Sequence, residues 1–368
     1  LILCGSGIMS LVGGLSFSDS KKTLDLAPSI SYNVYDLRGL FILKRVLIID
    51  ALNAYLRAYI VDPSLSTNGQ PIGGLKGFIK ILQKLARETK PDNIIIAWDG
   101  PDGSRKRKTM DKNYKAGRKP IRLNRAIRNL TEDEELQNKV WQQRRIIEYM
   151  NEMPIIQVLL PEIEADDIIA YVTQMQHYEG WQKIIVSNDK DFMQLCDEET
   201  VLWRPTVNEM LNTNRIVEMT GIHPTNMALA RAMAGDASDN LPGIRGVGLK
   251  TIQKRLPFLC ESKTYNIPDV IDYCKKNTKG SRVRFYGSVI EGKGLVEHNY
   301  KMMQLYAPQM SFQSKMHTKE NIENFECDFN RTELIRMMRE DGFGELNWED
   351  LKTQLNKINY ECVDNTNK

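Results

Sequence analysis

Hydrophobic residues along the chain come in short unbroken runs rather than strict alternation. The first, VLIID (46–50), ends in Asp50. NIIIAWD ends in Asp99, PIIQVLLPEIEADD ends in Glu164, Asp166 and Asp167, and KIIVSNDKD ends in Asp189 and Asp191. Continuous apolar runs of this length predict strands buried on both faces, the signature of a parallel sheet. Between them, helical periodicity covers 74–89, 136–153 and 168–177. The order is βαβ, and the predicted class is α/β with a mostly parallel central sheet flanked by helices.

Open parallel sheets bind ligands beyond the carboxyl ends of their strands, which is where these acids fall. Taken singly, each has a plainer explanation: Asp50 as a helix N-cap, Glu164, Asp166 and Asp167 as favourable charges at a helix start, Asp189 and Asp191 as loop formers. Four such coincidences on one edge are harder to dismiss. Asp236 and Asp239 follow the helical run MALARAMA, and their three-residue spacing predicts one shared helical face. Nine carboxylates gathered this way would raise one another's pKa unless cations neutralised them. The sequence shows little basic pairing for them beyond Lys190. Only oxygen donors are offered, which favours Mg²⁺, with Mn²⁺ able to substitute, over zinc. Two such ions about 4 Å apart can clamp the attacking and leaving oxygens of a phosphodiester.

Charge sharpens the picture. The whole chain of 368 residues carries 50 Lys and Arg against 47 Asp and Glu, a net +3 that predicts no partner. Yet the segment 104–128 holds eleven Lys or Arg and a single acid, Asp111. Placed after Asp99, it would overhang the acidic rim and hold a nucleic-acid backbone there. Tyr114 within it offers a face for base stacking. In LPGIRGVGLKT, Gly243, Gly246 and Gly248 permit a hairpin whose N–H groups approach a phosphate, with Lys250 and Thr251 starting the next helix.

The remaining composition excludes more than it adds. There is no apolar stretch of membrane-spanning length, so no membrane partner is expected. The six cysteines are scattered without CxxC spacing, which reads as reduced thiols in the cytoplasm. Residues 1–44 begin without Met and read as a non-native or poorly ordered extension.

The motifs IIDALN, WDGPDGSRKR, YKAGR, EIEADD, SNDKDFMQL and GDASDNLPGIRGVGLKT, in this order over about residues 45–255, resemble the flap endonuclease or 5′-nuclease family. That family includes phage 5′→3′ exonucleases, phage ribonuclease H of the flap-endonuclease type and the 5′-nuclease domain of bacterial DNA polymerase I. The resemblance implies a PIN-like core over 45–220 with a helical arch at about 104–135. It further implies a helix-three-turn-helix DNA-binding subdomain over 221–305. Residues 306–368 read as a C-terminal helical region; its acidic, amphipathic tail from Glu320 to Asn359 has no firm counterpart in the family and is expected to pack on the core rather than to meet a replication partner. By the same resemblance Asp50, Asp99, Glu164 and Asp166, with Asp167 adjacent, correspond to a first metal region, and Asp189, Asp191, Asp236 and Asp239 to a second. Lys115 and Arg118, assisted by Arg105, correspond to the residues that engage the scissile phosphate. K⁺ at the hairpin of Gly243–Gly248 is implied as well.

The expected activity is structure-specific 5′ cleavage of flaps and RNA-primed duplexes in DNA replication by a two-Mg²⁺ mechanism. A sliding clamp or single-strand DNA-binding protein is the expected assistant, in the host cytoplasm if the chain is phage-encoded. Three other readings fit parts of the pattern: a PIN-like single-strand ribonuclease, a Mg²⁺ phosphatase of small molecules, and a DNA-junction binder with an inactive site. The GDASDN and glycine element speaks against the first, and the basic segment against the second. The third would require a missing acid, and none is missing.

Overall fold

The computed structural model describes residues 43–358, apart from 119–121, 125, 128, 279–282 and 327–328. The expectation for residues 1–44 therefore lies almost wholly outside the described residues. The elements are β1 (Arg45–Asp50), α1 (Ala51–Val61), α2 (Gly73–Thr89), β2 (Asn93–Trp98), α3 (Arg105–Met110), α4 (Glu132–Asn151), β3 (Ile156–Leu159) and α5 (Ala165–Thr173). There follow β4 (Gln182–Val186), β5 (Thr200–Arg204), β6 (Glu209–Leu211), α6 (Thr213–Thr220), α7 (Pro224–Ala234) and α8 (Leu249–Arg255). The rest is helical: α9 (Ile267–Thr278), α10 (Arg284–Glu291), α11 (Lys293–Met303), α12 (Phe312–Glu323), α13 (Arg331–Glu340) and α14 (Trp348–Leu355).

The six strands form one sheet in the order β3-β2-β1-β4-β5-β6. The first five are parallel, with Ile48 beside Ile95 on one side and Ile185 on the other, while β6 returns antiparallel to β5. Because β2 and β4 flank β1, the chain reverses its winding direction there, and the crevice above the β1 carboxyl end is the expected ligand position. Residues of β1, β2 and β4 are buried on both sides of the sheet, as their unbroken apolar sequence requires.

Two apolar layers cover the sheet. On one face Val46, Ile48 and Ile185 join α5, α7 and α11 residues such as Ile168, Met227 and Val296. On the other, Leu47, Ile49 and Ile94 join α1, α2 and α4 residues, together with Leu334 of α13 and Leu351 and Leu355 of α14. Asp350 of α14 accepts hydrogen bonds from Gln83 and Arg87 of α2. The described residues fall in one compact unit. Among them, no helix is long and apolar enough to cross a membrane.

Two local expectations need correction. Within the segment expected to form a helical arch, the described residues before α4 form helix α3 and then turns and irregular backbone. Lys115 and Gly117 both take positive φ, 55° and 71°, a left-handed backbone that interrupts a right-handed helix. Secondly, Asp236 and Asp239 are not on a helix face. Helix α7 stops at Gly235, with φ 76°, and Asp236 pairs across a tight turn with Leu241 through two backbone hydrogen bonds of 2.8 Å.

Candidate active site

Asp50 shows how helix capping and site chemistry coincide. It ends β1 and caps α1, accepting from the Asn53 amide at 3.1 Å, and the Ser187 hydroxyl donates to its other oxygen at 2.8 Å. It is nonetheless buried, and burial pushes its pKa up to about 7, with the nearby Asp99 and Asp189 adding to the rise. Asp99, directly after β2, accepts from the Ala165 amide at 2.7 Å, and burial raises its pKa too. Asp166 in the first turn of α5 is raised well above the usual range, first by burial and then by Asp189, with Lys115 opposing. Asp189 receives the Asp191 amide at 2.8 Å, while its own amide donates to Ser187 Oγ at 3.1 Å. Asp50, Asp99, Asp166 and Asp189 thus form an electrostatically connected set at the carboxyl edge of the sheet.

The other acids are held by the chain's own cations. Glu164 is 3% exposed and accepts from Arg107, from Lys115 Nζ at 2.7 Å and from the Tyr114 hydroxyl at 3.3 Å. Burial alone would raise its pKa, but Arg107 and Lys115 outweigh it and hold the group below its ordinary value. Asp167 accepts from Arg107 at 2.8 Å and from the Gln309 amide at 2.8 Å. Asp191 and Asp236 share Arg231. Burial still pushes Asp191 up to about 7 despite that arginine. In Asp236 the Ser238 and Arg231 contacts overcome burial and lower the pKa. Asp239 is paired with Arg118.

The expectation of scarce basic pairing is therefore wrong: Arg107, Lys115, Arg118 and Arg231 all engage these acids, whereas among the described residues Lys190 does not pair with them. The single pocket of nine carboxylates is likewise not formed. Among the described residues, no three His, Cys, Asp or Glu side chains stand close enough to hold a metal ion between them. Two of the pairing cations carried a legible signal. Arg231 is a lone charge within the apolar run MALARAMA, and a charge in such a run is rarely buried without a partner. Arg107 carried less, standing among four consecutive basic residues. Ser187 and Asn53 gave none: they act through hydrogen bonds that only the fold brings together.

The basic segment lies across the acids. Besides its side-chain contacts, Lys115 donates its backbone N–H to the Asp239 carbonyl at 3.0 Å, and Arg118 Nε donates to the Ser238 carbonyl at 3.1 Å. Tyr114, expected to offer a stacking face, is 3% exposed and packs with Leu241, Met302 and Met303. Its apolar ring is worth more in that cluster than in water, so no base can stack on it in this arrangement. Arg105 is not brought to the acids: it pairs with Glu162 and lines, with Lys108 and Lys112, a cleft of about 540 Å³. A second cleft of about 540 Å³ lies between Asp111, Asn113 and the turn from Ala234 to Gly243.

The three glycines differ in what they do. A Cβ on Gly243 would stand 1.9 Å from the Ala234 carbonyl oxygen, so this glycine serves the chain's own close packing first. Gly246 adopts φ 77° in open space, and Gly248, also open, precedes α8. Lys250 is exposed and Thr251 half-buried in the first turn of α8.

The connected carboxylates and the overlying lysine give a surface suited to a polyanionic substrate and a cation. Donor chemistry fits a hard divalent ion: the set is all oxygen, and burial has left Asp50, Asp99 and Asp166 short of compensating positive charge.

Comparison with known proteins gives the class. The sequence matches the family described as 5′-3′ exonuclease, N-terminal resolvase-like domain, over residues 45–221. The 5′-3′ exonuclease of Buchnera aphidicola subsp. Acyrthosiphon pisum is 31% identical over 210 residues, covering 56% of this chain and 68% of that protein. DNA polymerase I of Caldicellulosiruptor bescii is 30% identical over 219 residues, covering 58% of this chain but only 24% of the polymerase. In structure, the bacteriophage T5 5′-exonuclease with zinc bound aligns at TM-score 0.56 and 16% identity, covering 81% of this chain and 98% of that one. The bacteriophage T5 flap endonuclease, in a pseudo-enzyme-product complex with DNA and metal ions, aligns at 0.55 and 14%, with the same coverage. These likenesses establish the fold as that of the T5 nucleases. The chain belongs to the 5′-3′ exonuclease family, a family of nucleases.

Proposed function

We propose that this protein is a Mg²⁺-dependent nuclease that hydrolyses phosphodiesters near the 5′ end of a strand, at junctions of single- and double-stranded nucleic acid such as flaps and RNA-primed duplexes. The observation that carries this reading is the connected set Asp50, Asp99, Asp166 and Asp189 at the sheet's carboxyl edge, with the Lys115 ammonium beside Glu164 above it.

In this reading Asp50, Asp99, Glu164 and Asp166 would draw in around the first cation as it binds, no three described acids standing ready-made around one, with Asp189 beside them at the start of the second region. Asp191, Asp236 and Asp239 belong to a second region in which Arg231 and Arg118 stand as counterions. When bound, a divalent cation supplies Lewis acidity toward phosphate oxygens and water. Lys115, keeping one ammonium donor on Glu164, and Arg118, released from Asp239, act on the scissile phosphate. Asp167 serves from behind, fixed by Arg107 and the Gln309 amide. The open backbone at Gly246 and Gly248, with Lys250 and Thr251, follows the duplex backbone, and K⁺ between hairpin and phosphate fits the same region. In this reading the protein works beside a sliding clamp or single-strand DNA-binding protein in the cytoplasm.

The test is incubation of a 5′-labelled flap, a nicked duplex and an RNA-primed duplex with the protein, with and without Mg²⁺. Short 5′-labelled products that require Mg²⁺ are expected. Intact substrates in every Mg²⁺ lane would overturn the assignment.

A further inference from the structure

We propose that Arg107 is a positioning residue for the cleavage proposed above, on which this inference rests: its guanidinium fixes Glu164 and the Lys115-bearing segment in one mutual placement. Arginine is among the residues least often buried, yet this side chain is 3% exposed. It leaves α3 inward, while Arg105 and Lys108 on the same short helix face outward.

Its nitrogens are distributed over three parts of the chain. Nη1 reaches Glu164 Oε2, just ahead of α5, and Asp167 Oδ2 within α5, the latter at 2.8 Å. Nε donates to the Met302 carbonyl near the end of α11 at 3.0 Å. A guanidinium is planar, so the directions of Nε and Nη1 are fixed relative to one another. Holding the α11 carbonyl with one therefore dictates where the other meets Glu164.

That placement matters because Glu164 is shared. Arg107 engages Oε2, and Lys115 Nζ engages Oε1 at 2.7 Å. With one oxygen held by the arginine, the carboxylate presents the other to Lys115 in a single orientation. Arg107 lies eight residues before Lys115 in the same basic segment, so it also pins the near end of that segment. A charge at position 107 would neutralise Glu164 and Asp167 in either case. Only a fork with two divergent donors can in addition hold the Met302 carbonyl.

The experiment uses the full chain with Arg107→Lys, Arg107→Met, Lys115→Ala and the double variant Arg107→Lys/Lys115→Ala. The readouts are kcat and KM on the labelled flap duplex in Mg²⁺, duplex Kd by fluorescence anisotropy, and Tm. A displacement of about 1 Å in a reacting geometry can cost 100-fold, so Arg107→Lys is expected to lose about 10- to 100-fold in kcat. Its KM and duplex Kd should stay within about 2-fold and its Tm near wild type, as the buried charge is retained. The double variant should lose less than the product of the single losses, since both side chains act through Glu164. Arg107→Met measures what loss of the charge does to Tm. Wild-type kcat in Arg107→Lys, a loss that tracks the unfolded fraction, or a fully multiplicative double variant would each overturn the proposal. Those results leave the nuclease reading intact when wild type cleaves; a wild-type protein that cuts nothing takes both down.

Discussion

At the scale of single residues, the strand-end carboxylates do two jobs with one set of atoms. Asp50 accepts the Asn53 amide as an N-cap while its charge remains under-compensated by burial. Glu164 is the counterexample, with three donors around it. This contrast explains how much of the site could be read in advance. Acids at the ends of apolar runs stand out because their position follows from strand geometry. The arginines that answer them do not, because pairing across 57 or 60 positions, as between Arg107 and its two acids, leaves no local pattern. Lys115 permits a test. Its ammonium is held by Glu164 and lies 4.9 Å from the Tyr114 ring centroid. Lys115→Ala is expected to lower kcat about 100-fold, the scale of removing one charge-stabilising donor, while duplex Kd changes less than about 3-fold. Steady-state cleavage alongside anisotropy titration checks this, and a proportional loss of affinity would make the residue a backbone anchor only.

At the scale of elements, legibility followed burial. Strands β1, β2 and β4, enclosed on both faces, stand in the sequence as unbroken apolar runs. The hairpin of β5 and β6 was not foreseen: β6 has three residues, and Arg204 and Glu209 pair opposite each other at the sheet's edge. With three residues, β6 leaves no apolar run long enough to signal a strand. The basic segment reads as an arch by charge, but its described backbone is mostly turns, held by hydrogen bonds to the turn after α7. That turn depends on Gly243. Gly243→Ala places a Cβ against the Ala234 carbonyl, 1.9 Å away, and neither backbone group can yield like a side chain. We expect a loss of roughly 2 kcal/mol in unfolding free energy, measured by urea denaturation, whereas Gly248→Ala, with nothing within 4 Å of its Cβ, should be far milder.

For the whole molecule, the raised carboxyls make stability depend on pH and on cations. Asp50 and Asp191 move from 3.8 to about 7 on folding. Between those values the folded state binds more protons than the unfolded state, so stability falls as pH rises. In EDTA, Tm should therefore decline from pH 5 to pH 8, and Mg²⁺ should recover most of the loss at pH 8 but little at pH 5. Calorimetry across that range checks it; a Tm in EDTA that climbs steadily to pH 8 contradicts the assignment.

Leu334, Met338, Leu351 and Leu355 share one layer with Leu47 and Ile94 of the central strands, and α14 is fastened to α2 through Asp350. The stretch that matches the exonuclease family, 45–221, is thus only part of what keeps that layer dry. Excised alone, it would expose a greasy flank along α2 and stick to its neighbours, so the smallest well-behaved fragment of this protein must run to the end of α14.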